Sequence, residues 1–117
     1  MEIKEYQKNA ERTLKHMENQ RADLEHMLYG LGSEVGELMS MLKAYYVYDK
    51  EFDIANYKEE LGDICWFLAG ACTIMGISME EVLEKNINKL KARYPEKFDE
   101  SLAIHRNLEK EREILES

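Results

Sequence analysis

Met27-Leu28-Tyr29-Gly30-Leu31-Gly32-Ser33-Glu34-Val35-Gly36-Glu37-Leu38-Met39-Ser40-Met41-Leu42 is the stretch whose reading decides the fold. Its apolar positions Met27, Leu28, Leu31, Val35, Leu38, Met39 and Leu42, continued by Tyr45, recur with a period near 3.6, the signature of a helix with one apolar face. Glu34 and Glu37 sit beside that face rather than in a charged run. Three residues apart on a helix they are surface neighbours and project from one patch. Gly30, Gly32 and Gly36 each weaken the helix by about 1 kcal/mol relative to alanine. Their clustering around the acidic pair predicts close approach of a neighbouring helix or of a ligand.

A second acidic pair, Glu60 and Asp63 in Glu59-Glu60-Leu61-Gly62-Asp63, repeats the three-residue spacing. It is flanked by Leu61, Ile64, Cys65, Trp66, Phe67 and Leu68, which leave little of that helix facing water. Two such helices laid antiparallel converge four carboxylates on one point. Carboxylates near an apolar interior repel one another and lose hydration, and a divalent cation is the usual compensation. Surface glutamates are the competing reading of either pair taken alone. A ligand set of Glu34, Glu37, Glu60 and Asp63 holds no nitrogen or sulfur, which suits Mg²⁺, with Mn²⁺ as a possible substitute. The Glu-x-x-His pairs of ferritin-like di-iron bundles are missing. So are EF-hand spacing, a Walker phosphate loop and a GxGxxG turn.

Outward from the acidic helices the chain reads as one all-α domain over residues 1–117, a bundle of four to five helices. It has 117 residues with one proline and six glycines, and no Ser/Pro-rich stretch divides it. The apolar pattern predicts helices over 3–16, 23–48, 54–75, 79–93 and 100–115. Asp53 reads as the N-cap of the third, Gly76 as its stop, and Ser78 with Glu81 as a capping box for the fourth. Tyr94-Pro95 ends that helix. Cys65 and Cys72, seven apart on one helix, are too far separated to join, and read as buried reduced thiols.

A formal charge of −8 repels a nucleic-acid backbone, so polymeric DNA or RNA is an unsuitable partner. A small nucleotide remains suitable, since local lysines and a bound metal reverse the sign within one pocket. The apolar run over 64–77 is shorter than the ~20 residues that cross a bilayer, and Met1-Glu2-Ile3-Lys4 opens no signal core. The expectation is a soluble, cytoplasmic protein with no membrane partner.

Lys85, Lys89 and Arg93 recur every four residues and share one stripe of the fourth helix. Such a stripe is either a solvated face or, opposite a carboxylate cluster, a phosphate clamp in which arginine offers a fork and lysine a point charge. Asn86 and Asn88 suit the polar edges of a base or a plain helix surface. Trp66, Phe67 and Tyr94 suit a base stack or the core. His16, His26 and His105 are scattered and read as ordinary surface or interface histidines.

Taken in order, Glu34-x-x-Glu37, Glu60-Leu-Gly-Asp63 and Lys85-Asn86-Ile-Asn-Lys89 running to Arg93-Tyr94-Pro95 resemble the MazG-like nucleotide pyrophosphohydrolases of the all-α NTP pyrophosphatase superfamily. The likeness covers residues 28–98. It implies a helical bundle that forms homodimers or homotetramers and cleaves a nucleoside triphosphate between its α- and β-phosphates with Mg²⁺. It also implies that Glu34, Glu37, Glu60 and Asp63 bind the metal and that Lys89 and Arg93 contact phosphates. Many members carry another glutamate directly before the first pair, where this chain has Ser33. If that glutamate is their general base, the role here passes to Glu34, to Glu37 or to a metal-bound hydroxide. Phosphoribosyl-ATP pyrophosphohydrolase shares the acidic helices and is the alternative within the superfamily. A non-catalytic helical interaction module is the alternative outside it.

Overall fold

Asn19 and Asp53 start the two longest helices of the chain. The Asn19 side-chain oxygen accepts the Ala22 N–H at 2.9 Å and the Asp53 carboxylate accepts the Asn56 N–H at 3.1 Å, each satisfying one orphan donor of a first turn. A computed structural model describes residues 1–117 and contains six helices and no strand. They are α1 (Ile3–Glu11), α2 (Gln20–Val47), α3 (Ile54–Ile74), α4 (Met79–Arg93), α5 (Glu100–Ile104) and α6 (Leu108–Glu116). The chain divides into two compact units, Met1–Met79 and Glu80–Ser117.

In the first unit α2 and α3 run antiparallel. Gln20 donates to the Ile74 carbonyl at 3.0 Å, Met27 meets Gly70, Gly30 meets Phe67, and Asn56 reaches the Met41 sulfur at 3.5 Å. As numbers rise along α2 they fall along α3. Gly76 ends α3 with φ at +69°, a conformation that glycine adopts without a Cβ penalty. The Ile77 N–H returns to the Cys72 carbonyl at 2.9 Å and the Gly76 N–H to Thr73 at 3.1 Å, the paired bonds of a Schellman stop. Helix α1 lies on α3 around Ala10, Ala69 and Met79, with Tyr6, Trp66 and Cys72 packed against them. Gln7 fastens it. Its amide donates to Thr73 Oγ1 at 3.2 Å and the Ile77 carbonyl at 2.9 Å, and its oxygen accepts the Met79 N–H at 2.8 Å.

Three boundaries differ from the sequence expectation, each for a physical reason. The first helix stops at Glu11, short of residue 16, because Thr13 Oγ1 donates to the Ala10 carbonyl at 2.9 Å while accepting the Trp66 indole N–H at 2.8 Å. The second starts earlier than residue 23, at Gln20, because Asn19 caps it. The last expected helix is two, since the Asn107 side chain accepts the Lys110 N–H at 3.0 Å and opens α6 afresh. Cys65 is exposed and Cys72 half-buried, both free; only Cys72 has the packing role expected of both, and burial raises its thiol pKa.

The clustered glycines also divide. A Cβ at Gly30 would lie 2.1 Å from the Phe67 ring, whereas Gly32 and Gly36 meet nothing within 4 Å. Helix approach therefore accounts for Gly30, and nothing in the chain accounts for the other two. Much of α2 is apolar and uncovered, with Tyr29, Met39, Tyr46 and Val47 exposed by 72, 67, 75 and 63%. No single helix is long and apolar enough to cross a membrane.

In the second unit α4 ends at Arg93, as Tyr94-Pro95 predicts. There α6 contributes one buried acid, Glu111, whose carboxylate pairs with Arg93 and Arg106 at 2.7 Å each.

Candidate functional site

The antiparallel register sets the Glu34/Glu37 turn of α2 against the Glu60 turn of α3. Carboxylate oxygens of Glu34, Glu37 and Glu60 lie within 4.8 Å of one another, and so do those of Glu59, Glu60 and Asp63. The four expected acids thus do not meet at one point. They form two overlapping triads that share Glu60. Glu59 is the member that sequence reasoning missed; it stands four residues before Asp63, which puts both on one helix stripe, and that spacing was the available signal.

Burial separates their roles. Glu60 is buried, Glu34 and Asp63 are half-buried, and Glu37 is exposed. No ion pair of the chain involves any of them. The Oε2 atoms of Glu34 and Glu60 are shut from solvent with no hydrogen-bond partner, an arrangement that costs free energy unless a cation or proton fills it. The Glu60 carboxyl is pushed up to about 8, first by its hydrogen bond with Glu34, then by burial, then by the hydrogen bond with Glu37 and the charges of both. Like-charged carboxylates sharing a site hold a proton between them. Tyr6 of α1 stands at the edge of the cluster, its hydroxyl pKa raised by burial and then by Cys65 and Asp63.

A hard divalent ion fits this set. The donors are all oxygen, two buried acceptors lack partners, and no lysine or arginine neutralises the charge. Glu34, Glu37 and Glu60 would hold it, with Asp63 and Glu59 on the far side of Glu60. The raised Glu60 value carries a pH dependence. Its folded pKa lies above the ordinary 4.5, so the associated stability is complete below about pH 4.5 and is lost as pH rises through about 8. A cation removes the repulsion responsible. Magnesium should therefore raise the melting temperature more at about pH 8.5 than at about pH 6, the total stabilisation being ~2.7 kcal/mol wherever magnesium stands at a hundredfold excess over Kd. Scanning calorimetry with and without MgCl₂ at both pH values checks this, and an equal response at the two is the contrary result.

The other expected site residues are placed as follows. Trp66 gives its indole N–H to Thr13 and makes a T-shaped contact with the Phe67 ring, ring centres 5.0 Å apart. In the second unit Lys85 pairs with Glu81 at 3.1 Å, Asn86 is exposed and Lys89 half-buried. Arg93 is bonded to Glu111 and lies 5.7 Å from the Tyr94 ring centre. His26 stands on α2. It is half-buried, with Nδ1 shut from solvent and unpartnered and its ring edge-on to Phe67 at 6.4 Å. A cavity of about 510 Å³ is lined by His26, Tyr29, Gly30 and Ser33, and another of about 390 Å³ by Val35, Leu38, Phe52 and Tyr57. Their lining residues Ser33 and Val35 bracket Glu34 in the chain.

Residues 22–98 match the family model described as the MazG nucleotide pyrophosphohydrolase domain, which takes in both acidic helices and α4. No match is found among curated proteins or among solved structures.

Proposed function

Because the chain belongs to the MazG nucleotide pyrophosphohydrolase family, we propose that it hydrolyses nucleoside triphosphates, ribo or deoxy, to the monophosphate and pyrophosphate, with Mg²⁺ as its cofactor. One observation carries this reading: Glu34, Glu37 and Glu60 converge within 4.8 Å with no cationic side chain to neutralise them. When bound, the divalent ion supplies positive charge against the nonbridging phosphate oxygens. Manganese, with similar oxygen preference, is the expected substitute.

The residues of the chain do the rest. Glu60 and Glu34, with buried oxygens, fix the metal end of the cluster, and Asp63 is a further metal-ligand candidate through the second triad, which shares Glu60. Glu37, the exposed member, has the carboxylate that water reaches, so it orients a water molecule and takes its proton as that water attacks the α-phosphorus. Glu34 is the second candidate for this role. The bond to the β-phosphate bridging oxygen breaks in line, and pyrophosphate leaves with the negative charge. Lys89 and Arg93 bind the leaving phosphates, with Lys85 and Asn86 on neighbouring turns of the same helix. Trp66 and Tyr94 are the aromatic candidates at the nucleoside.

The reading treats residues 1–117 as one functional domain of a cytoplasmic homodimer or homotetramer. The exposed apolar side chains of α2 support the oligomer, since patches of that kind are seldom left bare on a monomer. A pyrophosphate-release screen across ribo- and deoxynucleoside triphosphates and phosphoribosyl-ATP, with Mg²⁺ or Mn²⁺, tests the activity. Turnover of at least one triphosphate that vanishes with EDTA is the expected result. Turnover of phosphoribosyl-ATP alone selects the alternative enzyme, and no turnover of any substrate selects the interaction module.

A further inference from the structure

Glu111 of α6 is 3% exposed and yet accepts four N–H bonds. Arg93 gives it Nε at 3.1 Å and Nη2 at 2.7 Å; Arg106 gives it Nε at 3.4 Å and Nη2 at 2.7 Å. Each guanidinium presents the same edge to the carboxylate, so each keeps its Nη1 amine out of that contact. One arginine is enough to neutralise one buried acid. The second leaves a surplus positive charge, and no other carboxylate pairs with Arg106.

The order of burial shows which side of the pair is open. Side-chain exposure rises from 4% at Glu111 to 14% at Arg93 and 39% at Arg106. The carboxylate side chain is thus the most enclosed of the three and that of Arg106 the most open. Two like charges held at one acceptor are ordered before a ligand arrives, which lowers the entropy lost on binding. Paired planar forks with net positive charge suit the oxygens of a phosphate or pyrophosphate group.

We infer that Arg106 is a second phosphate-binding arginine beside Arg93, and that Glu111 is the positioning residue that orders the pair for the pyrophosphate end of the substrate. The assignment rests on the proposed triphosphate hydrolysis for the identity of the substrate. Arg106 and Glu111 both lie beyond the 22–98 span of the family match, so the pair is built partly from residues that the family pattern does not contain. The same carboxylate is held down to about 2 by Arg93 first and Arg106 second, and so stays ionised throughout the neutral range.

The test uses the full-length protein with Mg²⁺ and inorganic pyrophosphate as the calorimetric probe, beside steady-state pyrophosphate release. Arg106→Gln should weaken pyrophosphate binding about tenfold, and Arg106→Lys should recover part of it, since lysine restores the charge without the fork. Glu111→Gln removes a negative charge, so simple electrostatics favours tighter anion binding. The positioning role requires the opposite, weaker pyrophosphate binding and a KM raised more than kcat is lowered. Glu111→Asp, which keeps the charge but shortens the reach, should weaken binding as well and covers the case in which the glutamine variant does not fold. Pyrophosphate binding unchanged in Arg106→Gln, tightened or unchanged in the Glu111 variants, or absent from the parent protein overturns the inference. Because the calorimetric reading needs no turnover, a protein that hydrolyses no triphosphate sinks the proposed function while the arginine pair is still judged on its own.

Discussion

Glu37→Gln should lower pyrophosphate release on the order of 10²–10⁴-fold, the range expected when a positioned base is lost, and should leave the protein folded. Glutamine keeps the shape of the side chain and loses its charge and its ability to take a proton. The fold survives because Glu37 is exposed and is one of three mutually repelling acids. Removing one charge relieves Glu60, whose raised value owes part of its shift to Glu37. The metal-free variant should therefore melt no lower than its parent at about pH 8, and gain less from magnesium. Initial rates at saturating nucleotide, with melting curves on the same samples, check both halves. Full activity in Glu37→Gln removes Glu37 from the chemistry.

Gly30→Val should destabilise the first unit by about 1–3 kcal/mol, the usual cost of overpacking. A Cβ at Gly30 would stand 2.1, 2.4 and 2.7 Å from three atoms of the Phe67 ring. That ring is itself in T-shaped contact with the Trp66 and His26 rings, so it cannot swing aside without disturbing the α2–α3 contact. Chemical denaturation measures the loss. The combination with Phe67→Leu, which clears the space, should recover part of it, and purely additive losses in the double variant would show that the clash is not the cause. The effect should extend to metal binding, because Gly30 and Phe67 lie on the two helices that carry Glu34 and Glu60.

The all-helical class was legible because Glu, Lys, Leu and Met dominate and the apolar period is 3.6 over much of 27–45. The clustering of acids from α2 and α3 was legible because i,i+3 pairs beside apolar faces have few inexpensive structures. Their arrangement was not. Whether two pairs meet at one point depends on the relative stagger of α2 and α3, and that is set by contacts such as Gly30 against Phe67 and Gln20 against the Ile74 carbonyl, which no local pattern encodes. The early end of α1 turns on Thr13 bonding Trp66, fifty-three positions away. The break before α6 had a local sign in Asn107, a good cap, but the continuing apolar positions Leu102, Leu108 and Ile114 masked it. The T-shaped contact of His26 with Phe67 has no sign in its neighbours along the chain.

Glu60 has one more consequence. With a carboxyl that keeps its hydrogen ion until about pH 8, loading the cluster with a divalent ion near neutrality would be a swap: the ion comes in and a hydron goes out. Apparent metal affinity on the acid side of that value should then climb about tenfold for each pH unit, so that mild acidification unloads the centre at fixed magnesium without any rearrangement of the backbone.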